Sequence, residues 1–256
     1  MHPPAYMNEI LFGQKNFLEN KENFLLLAPF MFTHEVYSKI EDSFNNPITN
    51  DTPIKPKVLE FHKDTLFWSI YVAIKGEQEY TLLKRGGHNM INVMMKEKKL
   101  ISDHFNAKPE QLKLSNYRIT LAKINEIKCN LMTKPMDTIE SCLPCAIYYN
   151  RPIVVYFESI NAHVRFVSKN YVADDTEETI YLTLTNNKIV LQKPENLGYE
   201  LYHYEKPLQG ISNYKGDELK NIYEQIFKTE NTNMKKPEYH ETLMVKCSNA
   251  LQTKII

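Results

Sequence analysis

Apolar residues between Asp64 and Tyr149 recur at helical spacing, and after Asn150 the pattern changes to short β-branched runs. Leu66-Phe-Trp-Ser-Ile-Tyr-Val-Ala-Ile74 is apolar on every side except Ser69. That predicts a buried helix, with Asp64-Thr65 as its cap and Gly76 as its end. Met90, Met94, Ile101 and Phe105 share one stripe over 89–105. Glu97 falls on the same stripe, where a carboxylate needs a partner; Arg85, Lys84 or a histidine are the candidates. Leu121, Ile124, Ile127 and Leu131 are in register within 116–131. A further helix is predicted over Met136 to Tyr149, with Asp137 and Glu140 as its capping pair. Then Pro152-Ile-Val-Val-Tyr-Phe157 and His163-Val-Arg-Phe-Val167 read as strands. Thr179–Leu184 and Lys188–Gln192 flank Thr185-Asn-Asn and predict a hairpin. Tyr199–Tyr204 alternates like a strand, and Asp217–Phe227 has a strong helical stripe.

The ends of the chain differ from this centre. Residues 1–60 read as an arm, with helical spacing between Phe24 and Phe44 broken at Pro29, and a proline-rich loop from Asn45 to Pro56. Residues 229–256 are polar, with a weak helix near Leu243, and read as a tail. The division is therefore an arm (1–60), a domain (61–228) and a tail (229–256). Helices first and strands second predict an α+β architecture, a helical lobe packed on a small antiparallel sheet.

Composition narrows the function. The 256 residues carry 31 Lys+Arg against 31 Asp+Glu. Zero net charge disfavours nucleic acid as the main partner, because phosphate binding needs a cationic surplus. The run Lys96, Lys98, Lys99 reads as a solvated helix face. No apolar run approaches the roughly 20 residues of a membrane helix, so no membrane span is expected. The start of the chain lacks the basic flank and apolar core of a signal peptide. Four cysteines in a chain this size read as free thiols in a reducing compartment. The one glycine doublet, Gly86-Gly87, fits neither phosphate-loop pattern, and no cofactor is expected. Cys142-Leu-Pro-Cys145 lacks two further ligands at matching spacing, so no metal is expected and the pair reads as semi-buried thiols. The 16 Tyr and 12 Phe, with Tyr199, Tyr202 and Tyr204 in one predicted strand, suit a protein that assembles with other proteins.

The single Trp lies in Asp64-Thr-Leu-Phe-Trp-Ser69, at the start of the buried helix. A helix N-terminus can stabilise a thiolate and supply N–H groups to an oxyanion. His163, on a later strand, is correctly ordered to act as base, with Asp174, Asp175 or Asn170 as orienting group and Asp64 as a further donor or orienter. The segment Asp64–Val72, Tyr80, Lys96-Glu-Lys-Lys99 and Cys145–Val155 resemble a group of proteins from nucleocytoplasmic large DNA viruses that are similar in element order to papain-like or OTU-like cysteine peptidases. Those proteins carry Cys where this chain has Ser69. The match covers about 62–170. It implies a degenerate site of Ser69, His163 and Asp64, because a hydroxyl beside a lone imidazole is a far poorer nucleophile than a thiol. It implies a papain-like-related fold and a catalytically inactive viral protein that binds other proteins, as a virion or minor capsid component. Its partners would be viral structural proteins and its location the host cytoplasm or the virion. The alternative is an active cysteine- or serine-type peptidase or deubiquitinase-like hydrolase, with Ser69, Cys142 or Cys145 as nucleophile.

Overall fold

The computed structural model describes residues 64–86, 89–171, 179–229 and 233–255. The arm over 1–60, with its helices between Phe24 and Phe44 and its proline-rich loop, lies outside the described residues, as do Gly87, Asp174 and Asp175.

The helical part contains α1 (Thr65–Lys75), α2 (Glu77–Arg85), α3 (Met90–Ala107), α4 (Leu121–Thr133) and α5 (Cys142–Tyr148). The expected helices are present, and the boundaries follow local chemistry. Asn89 caps α3 by accepting from the N–H groups of Ile91 and Asn92, and Thr120 caps α4 by accepting from Lys123. The helix read over Met136–Tyr149 is split: a 3-10 turn, Ile139–Ser141, precedes α5. In α1, Leu66 to Val72 are all buried, as expected for a helix apolar on every side. Phe67, Trp68, Tyr71 and Tyr80 pack their rings in edge-on and tilted contacts, Trp68 lying 5.0 Å from Phe67 and 5.4 Å from Tyr80.

Among the described residues the sheet has five strands in the order β4-β3-β1-β2-β5: β1 (Ile153–Phe157), β2 (Ala162–Phe166), β3 (Ile180–Thr185), β4 (Lys188–Leu191) and β5 (Tyr199–Glu200). The expectation of an antiparallel sheet is corrected. β1 pairs antiparallel with β2 and β3 with β4, but β1 runs parallel to β3, and β2 parallel to β5. The sheet is mixed. Alternation marks a strand without fixing its direction; only a tight turn does that. The Asn186-Asn187 turn, with both residues at positive φ, is such a signal and delivers the expected hairpin. β1 is central and buried at all five positions, as an apolar run without alternation should be.

Two further expectations change. The strand read over Tyr199–Tyr204 is only two residues long, because the chain turns back at once, with Tyr202 N–H donating to the Pro207 carbonyl at 2.8 Å. The segment read as a polar tail carries α7 (Lys236–Leu251), which packs on α6 (Gly216–Phe227). Tyr239, Leu243, Cys247, Ala250 and Leu251 of α7 belong to the main core. Their spacing is helical, and Pro237 in the first turn with Glu238 accepting from Lys235 N–H starts the helix. Leu243→Ala should therefore cost about 2–5 kcal/mol. Urea denaturation followed by circular dichroism checks this; an unchanged midpoint would restore the tail reading.

Candidate functional site

Ser69 is the fifth residue of α1 and lies beyond its first turn. It is 1% exposed, and its hydroxyl donates to the Thr65 carbonyl at 2.8 Å. That bond commits its proton to the backbone of its own helix. His163 is on β2, facing elsewhere. Its Nδ1 lies 2.9 Å from the Leu197 carbonyl, and its Nε2 lies 3.9 Å from the Glu200 carboxylate. α1 packs on β3 and β4, whereas β2 stands on the far side of β1. Two strand spacings, about 10 Å, separate β2 from β3. Ser69 and His163 form no hydrogen bond, and the two are not brought together as nucleophile and base. Asn170 follows β2, and its backbone N–H donates to Ser168 Oγ at 3.3 Å.

Asp64 does take the N-cap position of α1, but its carboxylate makes no capping bond. One oxygen pairs with the ammonium of Lys98, and the other accepts from the Met136 N–H at 3.0 Å. To reach both, Asp64 adopts a left-handed backbone with φ 55°, which aspartate tolerates better than most residues. The two side chains are 3% and 2% exposed. Lys98 therefore leaves the solvated face assigned to Lys96, Lys98 and Lys99: its neighbours are exposed, and it points inward. Its Nζ also lies 3.4 Å from the Lys134 carbonyl and 5.7 Å from the centre of the Phe67 ring.

Glu97, the next residue of α3, finds Tyr149 and Lys75 rather than Arg85, Lys84 or a histidine. The Tyr149 hydroxyl donates to it at 2.7 Å, and Lys75 Nζ is 4.0 Å away. Burial, followed by this bond to a carboxylate, holds the Tyr149 hydroxyl well above the usual phenol range. The Cys145 thiol shares this environment. Burial pushes it up to about 12; the charge of Lys98 opposes that, while Asp64 and Glu97 add to it. Cys142, at the start of α5, is pushed up by burial and then by Cys145. For both, burial favours the neutral thiol over the nucleophilic thiolate. Among the described residues, no three His, Cys, Asp or Glu side chains are placed to hold a metal ion.

Asp64, Glu97, Lys98, Cys145 and Tyr149 thus meet in one largely buried polar cluster. What it does chemically is pair charges and join α1, α3 and α5. Sequence reasoning missed Lys98 as the partner of Asp64; a lysine one residue from a carboxylate that sits on an apolar stripe was the available signal. Compared with known proteins, the chain matches no family model, no curated protein and no solved structure.

Asp64→Asn should destabilise the fold by about 3–5 kcal/mol, because it leaves the Lys98 ammonium buried and unpaired. The Asp64→Leu, Lys98→Met double variant should be more stable than Asp64→Asn, and a denaturation series on the variants reads both. In the native protein a thiol reagent should modify Cys129, which is exposed, in a fast phase, and Cys142, Cys145 and Cys247 only on unfolding.

Proposed function

We propose that this chain is a non-catalytic, protein-binding component of a large DNA virus, acting in the virion or in the host cytoplasm. One observation carries the non-catalytic part: the Ser69 hydroxyl is buried and donates to the Thr65 carbonyl, with the His163 imidazole on a strand that α1 does not pack against. The burial of Cys142 and Cys145 in the core adds to it.

The viral setting and the papain-like descent draw their support from the matching segments of sequence. Helices before strands are consistent with that descent; the parallel pairing of β1 with β3 is a departure from an antiparallel peptidase sheet. Binding to proteins is supported by Tyr202, half exposed beside a wide groove, although Tyr204 of the same predicted strand is buried. No helix among the described residues is long and apolar enough to cross a membrane.

The full chain, Ser69→Ala and Ser69→Cys should each leave fluorogenic ubiquitin and casein substrates uncleaved above the blank. Cysteine at position 69 gains nothing, because it too would lack a base. Turnover by the natural chain that disappears in Ser69→Ala would overturn the non-catalytic reading.

A further inference from the structure

We infer that the groove between β5 and α6 docks an extended, basic polypeptide segment from a partner protein; the inference rests on the protein-binding function proposed above and gives it a surface and a partner chemistry. The groove has a volume of about 700 Å³. The sheet edge contributes Tyr199, Glu200 and Tyr202 to it, the 3-10 turn Ile211–Asn213 contributes Asn213, and α6 contributes Glu218 and Asn221.

Charge selects the partner. Among the described residues the lining carries two carboxylates and no lysine, arginine or histidine. Lys220, on α6, lies 3.9 Å from Glu224. Glu200 is 61% exposed and lies 3.9 Å from the His163 imidazole. Glu218 accepts from the Lys215 N–H through one oxygen, at 2.6 Å, which leaves the second available. Carboxylates on a shallow wall without lysine or arginine in its described lining attract lysine or arginine.

The sheet edge selects an extended shape. Among the described residues β5 is the outermost strand on its side. The N–H groups of Tyr199 and Leu201 donate inward to the carbonyls of Asn161 and His163, at 3.1 and 2.8 Å. Strand alternation therefore turns the N–H and carbonyl of Glu200 outward, toward the groove side. An added strand can pair there, and every second side chain then faces the carboxylates. Tyr202, 52% exposed, gives apolar contact. The edge is held in place by Gly198, at φ 62°. A Cβ there would come within 1.9 Å of the Asn161 carbonyl, so only glycine lets the two backbones approach. The Tyr214 hydroxyl, which accepts from the Gln209 N–H at 3.0 Å, braces the opposite wall.

The probe is a fluorescein-labelled peptide of about ten residues alternating Lys and Val, titrated with the full chain by fluorescence anisotropy. Saturable binding is expected, and it should weaken about tenfold or more in the Glu200→Lys, Asn221→Lys double variant. Both positions are exposed, so the melting temperature should hold. Leu121→Lys, exposed on α4 outside the groove, should bind like the natural chain. Equal binding by the double variant, or by the natural chain to the matching Glu-Val peptide, would overturn the inference. So would an oligosaccharide such as chitohexaose binding in the groove and being lost in Tyr202→Ala, since tyrosines and amides also suit sugars. No peptide binding together with no turnover removes the groove and leaves the non-catalytic reading standing; turnover that depends on Ser69 removes the non-catalytic reading whatever the groove binds.

Discussion

The buried ion pair of Asp64 and Lys98 constrains everything built around it. Taking both charges out of water costs several kcal/mol each, and their attraction repays that only when the remaining hydrogen-bonding capacity is also met. Here it is: the second carboxylate oxygen takes the Met136 N–H, and the ammonium lies near the Lys134 carbonyl and the Phe67 ring. These partners come from the start of α1, the middle of α3 and the segment after α4. Any shift of one element leaves a charge unanswered in an apolar interior. The pair therefore specifies an arrangement more than it adds net stability.

That constraint explains why chemistry-bearing residue types gather without forming a catalytic site. An acid, a lysine, a thiol, a second acid and a phenol lie together, as they would in many enzymes. Their environment points the other way. Glu97 holds the Tyr149 proton, burial keeps Cys145 protonated, and Asp64 is occupied on both oxygens. Matching segments far apart in sequence can mark a shared core as readily as a shared reaction.

Much of the fold was legible in the residues. The stripes of α3, α4 and α6, the all-apolar α1 and the Asn186-Asn187 hairpin depend on local spacing, and spacing is written in the chain. Strand direction was not, because β1 and β3 look the same whichever way they run. α7 was legible and passed over: Tyr239, Leu243, Cys247 and Ala250 fall at helical intervals, but charged residues between them make the segment read as polar. For the site, Asp64 was found in the right place with the wrong role. Its partner lies 34 residues on, and local pattern carries no information about which carboxylate a distant ammonium will meet. Ser69 and His163 were correctly ordered along the chain, but order along a chain does not set distance across a sheet.

The mixed pairing of the sheet bears on how the molecule assembles. β1 with β2 and β3 with β4 are local hairpins, each closed by a short turn. The contact that makes one sheet of them, Ile153 beside Ile180 in parallel, spans far more chain. Closing such a loop is entropically costly before any contact rewards it. The two ribbons can form in microseconds, and the slow step is then their docking side by side. Until it occurs, the apolar edge of β1 stands open to the strand of another molecule.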